Sequence, residues 1–182
     1  RSVAASGWNA ELIPDDEILQ SQFPEVIKEL NDCIAKRDEL EALFTEVNEL
    51  EEGTWNEEEY EVFPKDELGY IKKGIKDIGA ERKEIRKEIK NRRKQIGALK
   101  KSGENCAEAE KELQRFIDAE IYQTEVISDL EKRITKHLEM EKELKESRKK
   151  IKEIKDLKEQ LVEQARSKIN EAEAKQLILQ RW

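Results

Sequence analysis

Several residue types are scarce in this chain, and each shortage excludes a class of protein. Two cysteines, Cys33 and Cys106, are too few for the disulfide framework of a small secreted domain and are compatible with a reducing cytoplasm. No apolar run approaches the roughly 18 residues of a membrane-spanning helix, and no signal peptide is visible. We therefore expect a cytoplasmic protein without a membrane partner.

Residues that carry chemistry are also scarce. The chain has no P-loop, no G-x-G-x-x-G after a strand, no G-x-S-x-G and no cysteine pair at zinc spacing. His137, the one histidine, falls near a seam position of a predicted helix, where we expect a core or half-buried side chain rather than a catalyst. The sequence therefore predicts no enzyme and no catalytic, cofactor or metal site in this chain.

What the chain has in abundance is charge in a helical pattern. Charged residues make up 43% of the 182 residues and the net charge is −8, whereas ordinary globular domains have about 25% charged residues. More than half of the residues are Ala, Leu, Lys, Arg or Glu, which is typical of long helices that bury one stripe. We expect an all-α fold, either an elongated antiparallel coiled coil or a long helical hairpin bundle.

Prolines, glycines and apolar spacing divide the chain into six segments. The expected segments are an N-terminal segment with a short helix (1–23), helix A (24–53), a connector (54–64), helix B (65–102), helix C (104–168) and a short last helix (170–182). At Asn170, N-E-A-E offers an Asn cap with Glu three residues later, and T-W-N-E at Thr54–Glu57 has the same capping-box pattern.

Helix B has the most regular pattern. Two series of positions, each with a spacing of seven residues, interleave so that the steps between them alternate between three and four residues. This spacing is the signature of a coiled coil. The two series are Leu68, Ile75, Arg82, Ile89, Ile96 and Ile71, Ile78, Ile85, Arg92, Leu99. A turn at Gly103 predicts that helix B pairs with helix C so that the numbers of facing residues sum to about 206.

The connector is rich in aromatic residues. Trp55, Tyr60, Phe63 and Tyr70 lie within sixteen residues of each other. We favour a plug that caps the tip of the helical hairpin, with a partner-binding knob as the alternative.

The distal half of helix C has an apolar stripe for which this pattern leaves no cover. If helix A covers the other side of helix B, the stripe needs a partner helix, because a one-sided helix is marginal alone in water. The residues of this expected partner interface are Leu144, Ile151, Ile154, Leu157, Leu161, Ile169, Leu177, Ile178 and Trp182.

A basic run, KEIRKEIKNRRKQIGALKK, occupies Lys83–Lys101 and holds nine Lys or Arg against two Glu. The hairpin pairing places it beside residues 104–120, which carry six acids against two bases, so we expect neutralisation within the chain or plain solvation. In the alternative, its cations contact the DNA backbone. The candidate contacts are Arg86, Lys90, Arg93, Lys94 and Lys100.

Two motifs resemble segments of a known family. W-N-A-E-L-I-P at Trp8–Pro14 resembles the segment that follows the catalytic domain in modification (methylation) subunits of type I restriction enzymes. N-E-A-E-A-K-Q-L-I-L-Q-R-W at Asn170–Trp182 resembles the short tail motif of the same subunits.

The resemblance implies a partner and a missing activity. The family comprises adenine-N6 DNA methyltransferases that use S-adenosylmethionine, and their Asn/Asp-Pro-Pro-Tyr/Phe motif has no counterpart here because the chain has no Pro-Pro. The resemblance therefore implies a fragment with the helical region alone, which in the family packs with the helical spacers of the DNA-specificity subunit and helps assemble two modification subunits with one specificity subunit. A general coiled-coil scaffold or homodimer, and a nucleic-acid-binding helical arm, are the alternative functions.

Overall fold

The computed structural model describes residues 10–181, and in that range it is helical with no strand. The all-α prediction is therefore confirmed. A single 3-10 turn at Ala10–Leu12 precedes six helices: α1 (Asp15–Gln22), α2 (Pro24–Glu49), α3 (Lys65–Ser102), α4 (Ala107–Asp156), α5 (Lys158–Lys168) and α6 (Glu171–Gln180).

Helix α3 has the bounds expected for helix B, whereas the helices around it are shorter than expected. Helix α2 ends at Glu49, four residues before the predicted end of helix A. Helix C is divided at Leu157, which keeps a right-handed helical backbone (φ −88°, ψ −5°) and still donates its N–H to the Glu153 carbonyl at 3.1 Å. Because neither glycine nor proline marks this point, the sequence gives no signal for the division.

The predicted cap at Asn170 is present. The Asn170 side chain accepts a hydrogen bond from the Glu173 N–H (2.9 Å), and the Glu173 carboxylate accepts one from the Asn170 N–H (3.2 Å). This reciprocal pair satisfies backbone donors that a helix start leaves unpaired. It begins α6 at Glu171, so the last motif is a separate short helix.

The T-W-N-E pattern at Thr54–Glu57 does not begin a helix. The Thr54 hydroxyl donates to the Glu51 carbonyl (2.7 Å), and the Glu57 carboxylate is held by Arg133 instead of reaching back to a backbone N–H. The capping-box interpretation is therefore wrong here, because each of the two side chains has a different partner.

The described residues fall into two units, which we treat separately. The first unit contains residues 10–42 and 141–181, and the second contains Leu43–Met140. In the second unit α3 and the first part of α4 form an antiparallel hairpin joined at Gly103, whose left-handed backbone (φ 75°) ends α3. Arg82 bonds Thr124 and Arg86 pairs with Glu120, and the numbers of each pair sum to 206, as the sequence predicts.

The core of the first unit is a cluster that we call the end-motif cluster, because it contains residues of both end motifs. Its buried members are Ile13, Ile18, Leu19, Val162, Ala165 and Ala174. Half-buried side chains surround them: Phe23, Ile27, Leu161, Ile169, Leu177 and Ile178. Helix α1 packs on α5, and the 3-10 turn packs on α6.

Candidate interaction surface

The apolar stripe of the distal helix is covered within this chain. Leu144 and Ile151 are 9% and 5% exposed, and Ile154 is half-buried. Helix α2 runs beside this part of α4 with three ion pairs between them: Lys36–Glu143 (3.4 Å), Glu41–Arg148 (2.7 Å) and Glu29–Lys150 (3.2 Å). The expectation that nothing in the chain covers this stripe is therefore wrong.

Four further residues of the expected interface belong to the core of the first unit. Leu161, Ile169, Leu177 and Ile178 pack against the end-motif cluster, because α1 and the segment before it lie against α5 and α6. Trp182 lies outside the described residues, as do Trp8 and Asn9 of the first motif. The expected interface is thus largely an intramolecular one.

Charged and polar contacts fix the first end motif against α5. Arg166 donates to the Ile13 carbonyl (3.0 Å) and pairs with the Asp15 carboxylate (2.8 Å). Lys158 pairs with Asp16 at 2.9 Å, and this hydrogen bond raises the pKa of the Lys158 ammonium above its usual range. These cations meet the acidic first turn of α1, which is the end of a helix that favours negative charge.

Three leucines of the first unit remain on the surface. Leu12, Leu157 and Leu179 are 66%, 49% and 53% exposed. Leu179 lines a shallow groove of about 450 Å³ on α6, together with Ala172 and Gln176. Of the residues expected to contact a partner, Leu157 is the exposed one among those the structure describes.

Leu12 and Leu179 are exposed apolar residues that lie outside the interface expected from the sequence. Leu179 belongs to the apolar triplet of the last motif, and its neighbours Leu177 and Ile178 face the cluster. Helical spacing separates these positions: Ala174, Leu177 and Ile178 lie three or four residues apart on one face, whereas Leu179 lies about 100° away from Ile178. This signal was present in the sequence.

A second surface groove, of about 730 Å³, is also part of the first unit. Its lining includes the apolar side chains of Ile27, Leu30 and Leu177 and the charged ones of Asp16, Glu17 and Arg181. Arg181 and Glu17 are 3.8 Å apart. The groove is open and mixes apolar and charged side chains, so it resembles a helix-packing surface more than a small-molecule pocket.

His137 is a core histidine, as predicted. It is 2% exposed, and its Nδ1 accepts a hydrogen bond from the Phe63 N–H at 3.0 Å. Its ring stands edge-on to that of Phe44, with centroids 5.2 Å apart. The His137 imidazole accepts from a buried backbone N–H that is 74 residues away in sequence, and this hydrogen bond holds the connector onto α4.

Two of the four connector aromatics form the expected plug. Phe63 is buried, and the Trp55 indole donates to the Val62 carbonyl (3.1 Å) and lies against the Phe63 ring. Tyr70 instead lies on the surface of α3, 72% exposed. The plug interpretation therefore holds for Trp55 and Phe63, is wrong for Tyr70, and stays a prediction for the half-buried Tyr60.

The basic run is neutralised in part. Arg86 pairs with Glu120, Lys100 pairs with Glu110 at 2.7 Å, and Arg92 pairs with Glu112 and lies over the Phe116 ring. In the described part of the chain, no ion pair involves Lys90, Arg93 or Lys94, and all three are exposed. The candidate DNA contacts therefore divide into two paired cations and three unpaired ones.

Between residues 10 and 181, no group of three His, Cys, Asp or Glu side chains is placed to hold a metal ion. No helix in this range combines the length and apolarity needed to cross a membrane. Comparisons of the chain with protein-family models, with curated proteins and with solved structures found no match to any of them.

Proposed function

We propose that this chain is a non-catalytic helical assembly module of a type I modification methyltransferase subunit, and that it docks onto the DNA-specificity subunit. The end-motif cluster carries the proposal. Ile13 from W-N-A-E-L-I-P and Ala174 from N-E-A-E-A-K-Q-L-I-L-Q-R-W are each 1% exposed in the same cluster. Two motifs far apart in sequence that form one core are expected to act as one unit, which supports the resemblance on which the proposal rests.

The docking surface in this proposal includes two of the three leucines that the cluster leaves outside. Leu179 and Leu157 are exposed, whereas Leu161 and Leu177 pack against the end-motif cluster. In this proposal they hold the docking surface in place and do not contact the partner. An exposed leucine beside a shallow groove on a short helix fits an apolar anchor at a protein interface. The partner is a helical surface of the specificity subunit, with a second modification subunit in the same assembly.

The chemistry of the proposed enzyme lies outside these residues. S-adenosylmethionine and the methyl-transfer site belong to the catalytic domain of the family, and this chain contributes no cofactor ligand. The assembly is proposed to act in the cytoplasm, where its two cysteines remain reduced.

The test is co-purification of the full chain with a cognate specificity subunit. Leu179→Glu and Leu157→Glu place a charge on the proposed docking surface, and we expect each to weaken the complex at least tenfold. Both side chains are exposed, so the variants should keep the far-UV circular dichroism of the parent chain. Ile121→Glu is the matched control, because Ile121 is 52% exposed in the second unit.

A complex that forms equally well with both leucine variants contradicts the docking assignment. The alternative function, a homodimerising coiled-coil scaffold, is favoured by Ile121 and Tyr122, which are adjacent and exposed on α4. Sedimentation of the chain alone separates the two proposals. A concentration-dependent mass that Ile121→Glu abolishes supports the scaffold, and a constant monomer mass excludes self-pairing.

A further inference from the structure

One side of α3 carries positive charge along almost its whole length. In the heptad fixed by the Leu68 and Ile71 series, the three positions b, e and f contain no acidic residue in the fifteen places from Gly69 to Lys101, and Asp66 takes position f in the turn before them. We call the eleven basic residues among them the basic stripe: Lys72, Lys73, Lys76, Lys83, Arg86, Lys87, Lys90, Arg93, Lys94, Lys100 and Lys101. The other four places are Gly69, Gly79, Ala80 and Gly97.

These positions form one continuous surface. At about 100° per residue, e, b and f span roughly 100° of the helix circumference beside the apolar seam. Helix α3 is uninterrupted from Lys65 to Ser102, and all eleven basic side chains are exposed. At a rise of about 1.5 Å per residue, the stripe extends for roughly 45 Å from Lys72 to Lys101.

The chain neutralises only a minority of this charge. Arg86 pairs with Glu120, Lys87 with Glu84, and Lys100 with Glu110. The other eight stripe residues take part in no ion pair with the part of the chain that the structure describes. The acids of α3 from Asp77 to Glu88 occupy positions c and g on the far flank.

This separation of sign sets the stripe apart from an ordinary solvated helix face. Exposed faces of long helices usually alternate Lys or Arg with Glu, because pairs three or four residues apart stabilise the helix. Here the basic residues take positions b, e and f over more than four heptads and the acids from Asp77 to Glu88 take positions c and g, in a chain whose net charge is −8. A cationic surface in an acidic chain is expected to attract a polyanion.

The residue types of the basic stripe indicate which kind of polyanion it would bind. It contains no aromatic residue that would stack on unpaired bases and no large apolar residue that would enter a lipid surface. A rigid helix with cations at regular intervals matches a stiff rod with closely spaced phosphates. Lysines that reach phosphates position a protein on a duplex without reading its sequence.

We propose that the basic stripe of α3 binds the sugar-phosphate backbone of double-stranded DNA without sequence preference. The inference stands on α3 alone and does not depend on the proposed function. Leu157 and Leu179 have no part in it.

The test is fluorescence anisotropy of the full chain with a labelled duplex of arbitrary sequence, from 50 to 200 mM NaCl. The stripe variant replaces Lys83, Lys90, Arg93 and Lys94 with Gln. If each of these cations contacts a phosphate, the slope of log K against log salt falls by about 3 to 4 in magnitude. We expect binding at 50 mM NaCl to weaken at least tenfold.

The control variant replaces Lys28, Lys145, Lys152 and Lys155 with Gln. All four are exposed and lie in the first unit, and their loss changes the net charge by the same amount. We expect its affinity to stay within threefold of the parent chain. Leu179→Glu should bind the duplex normally, so a failure of the docking proposal and a failure of this one are distinguishable.

Three results overturn the inference. The first is no binding of the duplex at 50 mM NaCl. The second is an equal loss of affinity in the control variant, which would show a dependence on net charge alone. The third is tighter binding of a single strand of the same length, or of phosphatidylserine vesicles, than of the duplex.

Discussion

The end-motif cluster and the α3–α4 hairpin bury their apolar residues to different depths. The most deeply buried residues of the cluster, Ile18 and Ala165, are completely buried, whereas Ile89, the most deeply buried seam residue of α3, and Ile96 keep 5% and 7% of their surface. The cluster is built from α1, α5, α6 and neighbouring segments, whereas the hairpin seam has two helices. Two helices leave a seam open along its sides, so complete burial requires a third element.

The difference in burial also explains why the hairpin seam contains a charged residue and the buried part of the cluster does not. The hairpin seam contains Arg92, whose guanidinium lies 4.6 Å from the centre of the Phe116 ring and also pairs with Glu112. A seam that stays partly wet tolerates such a residue, because its charge keeps access to water and to an acid. The buried members of the end-motif cluster are all apolar. The apolar members of the cluster should therefore depend on packing, with the Arg166–Asp15 and Lys158–Asp16 pairs outside them, whereas the hairpin seam itself holds a charged side chain.

The largest expected effect is a loss of packing in the cluster. Ile18→Ala removes a completely buried side chain, and we expect it to lower the free energy of unfolding by about 2–5 kcal/mol, the range for large-to-small changes in a core. Urea denaturation followed by circular dichroism measures it.

Ile85→Ala is the matched control, since it makes the same change at a half-buried seam position of α3. We expect less than half of the loss seen at Ile18. Equal losses at the two positions would break the comparison, because they would show that the two-helix seam buries its residues as effectively as the cluster.

The α3–α4 hairpin is the part of the fold that the sequence predicts well. Its register follows from a heptad pattern and one turn residue, Gly103, and both signals are local. The Asn170 cap was predictable for the same reason, since its Glu173 partner is three residues away. The Thr54–Glu57 pattern failed because Arg133, far away in sequence, binds Glu57.

The cover of the distal helix was not predictable from the same signals. A heptad pattern tells which face of a helix is buried but not which helix buries it. Glu29 and Lys150 are 121 residues apart, and nothing local marks α2 as the partner of this part of α4. The expected interface is therefore wrong for residues such as Leu161 and Ile169, which pack inside this chain against segments that lie far away in sequence.

The next largest effect is expected in the second unit, at the connector. Side chains there are buried as deeply as those of the end-motif cluster. Val62 is completely buried, and Phe63 and His137 are each 2% exposed. His137→Leu leaves the Phe63 N–H without its acceptor, which we expect to cost about 1–3 kcal/mol. Hydrogen exchange of the Phe63 amide, measured by NMR, should speed up accordingly.

The control for this change is Leu138→Ala, at a neighbouring position that is 39% exposed. In the Leu138→Ala variant, the Phe63 amide should exchange as slowly as in the parent chain. His137→Asn retains an acceptor near the position of Nδ1 and should restore part of the protection. If the leucine variant protects Phe63 as well as histidine does, the connector is held by packing alone and the hydrogen bond contributes nothing measurable.

The smallest effect is electrostatic and belongs to the second unit. Arg133 donates two hydrogen bonds to Glu57, at 3.1 and 2.7 Å, and these hold the pKa of the Glu57 carboxyl below its usual range. Because the pKa is lower in the folded chain than in the unfolded one, the pair stabilises the fold at neutral pH. That contribution is lost as the pH falls through the folded-state pKa. The two side chains are 45% and 40% exposed, so solvent screening keeps the contribution below about 1 kcal/mol.

Arg133→Gln should raise the pKa of Glu57 toward the usual glutamate value in an NMR titration and flatten the acid limb of the stability curve. A Glu57 pKa that does not move in this variant would contradict Arg133 as the cause of the shift and assign it to other charges near the connector.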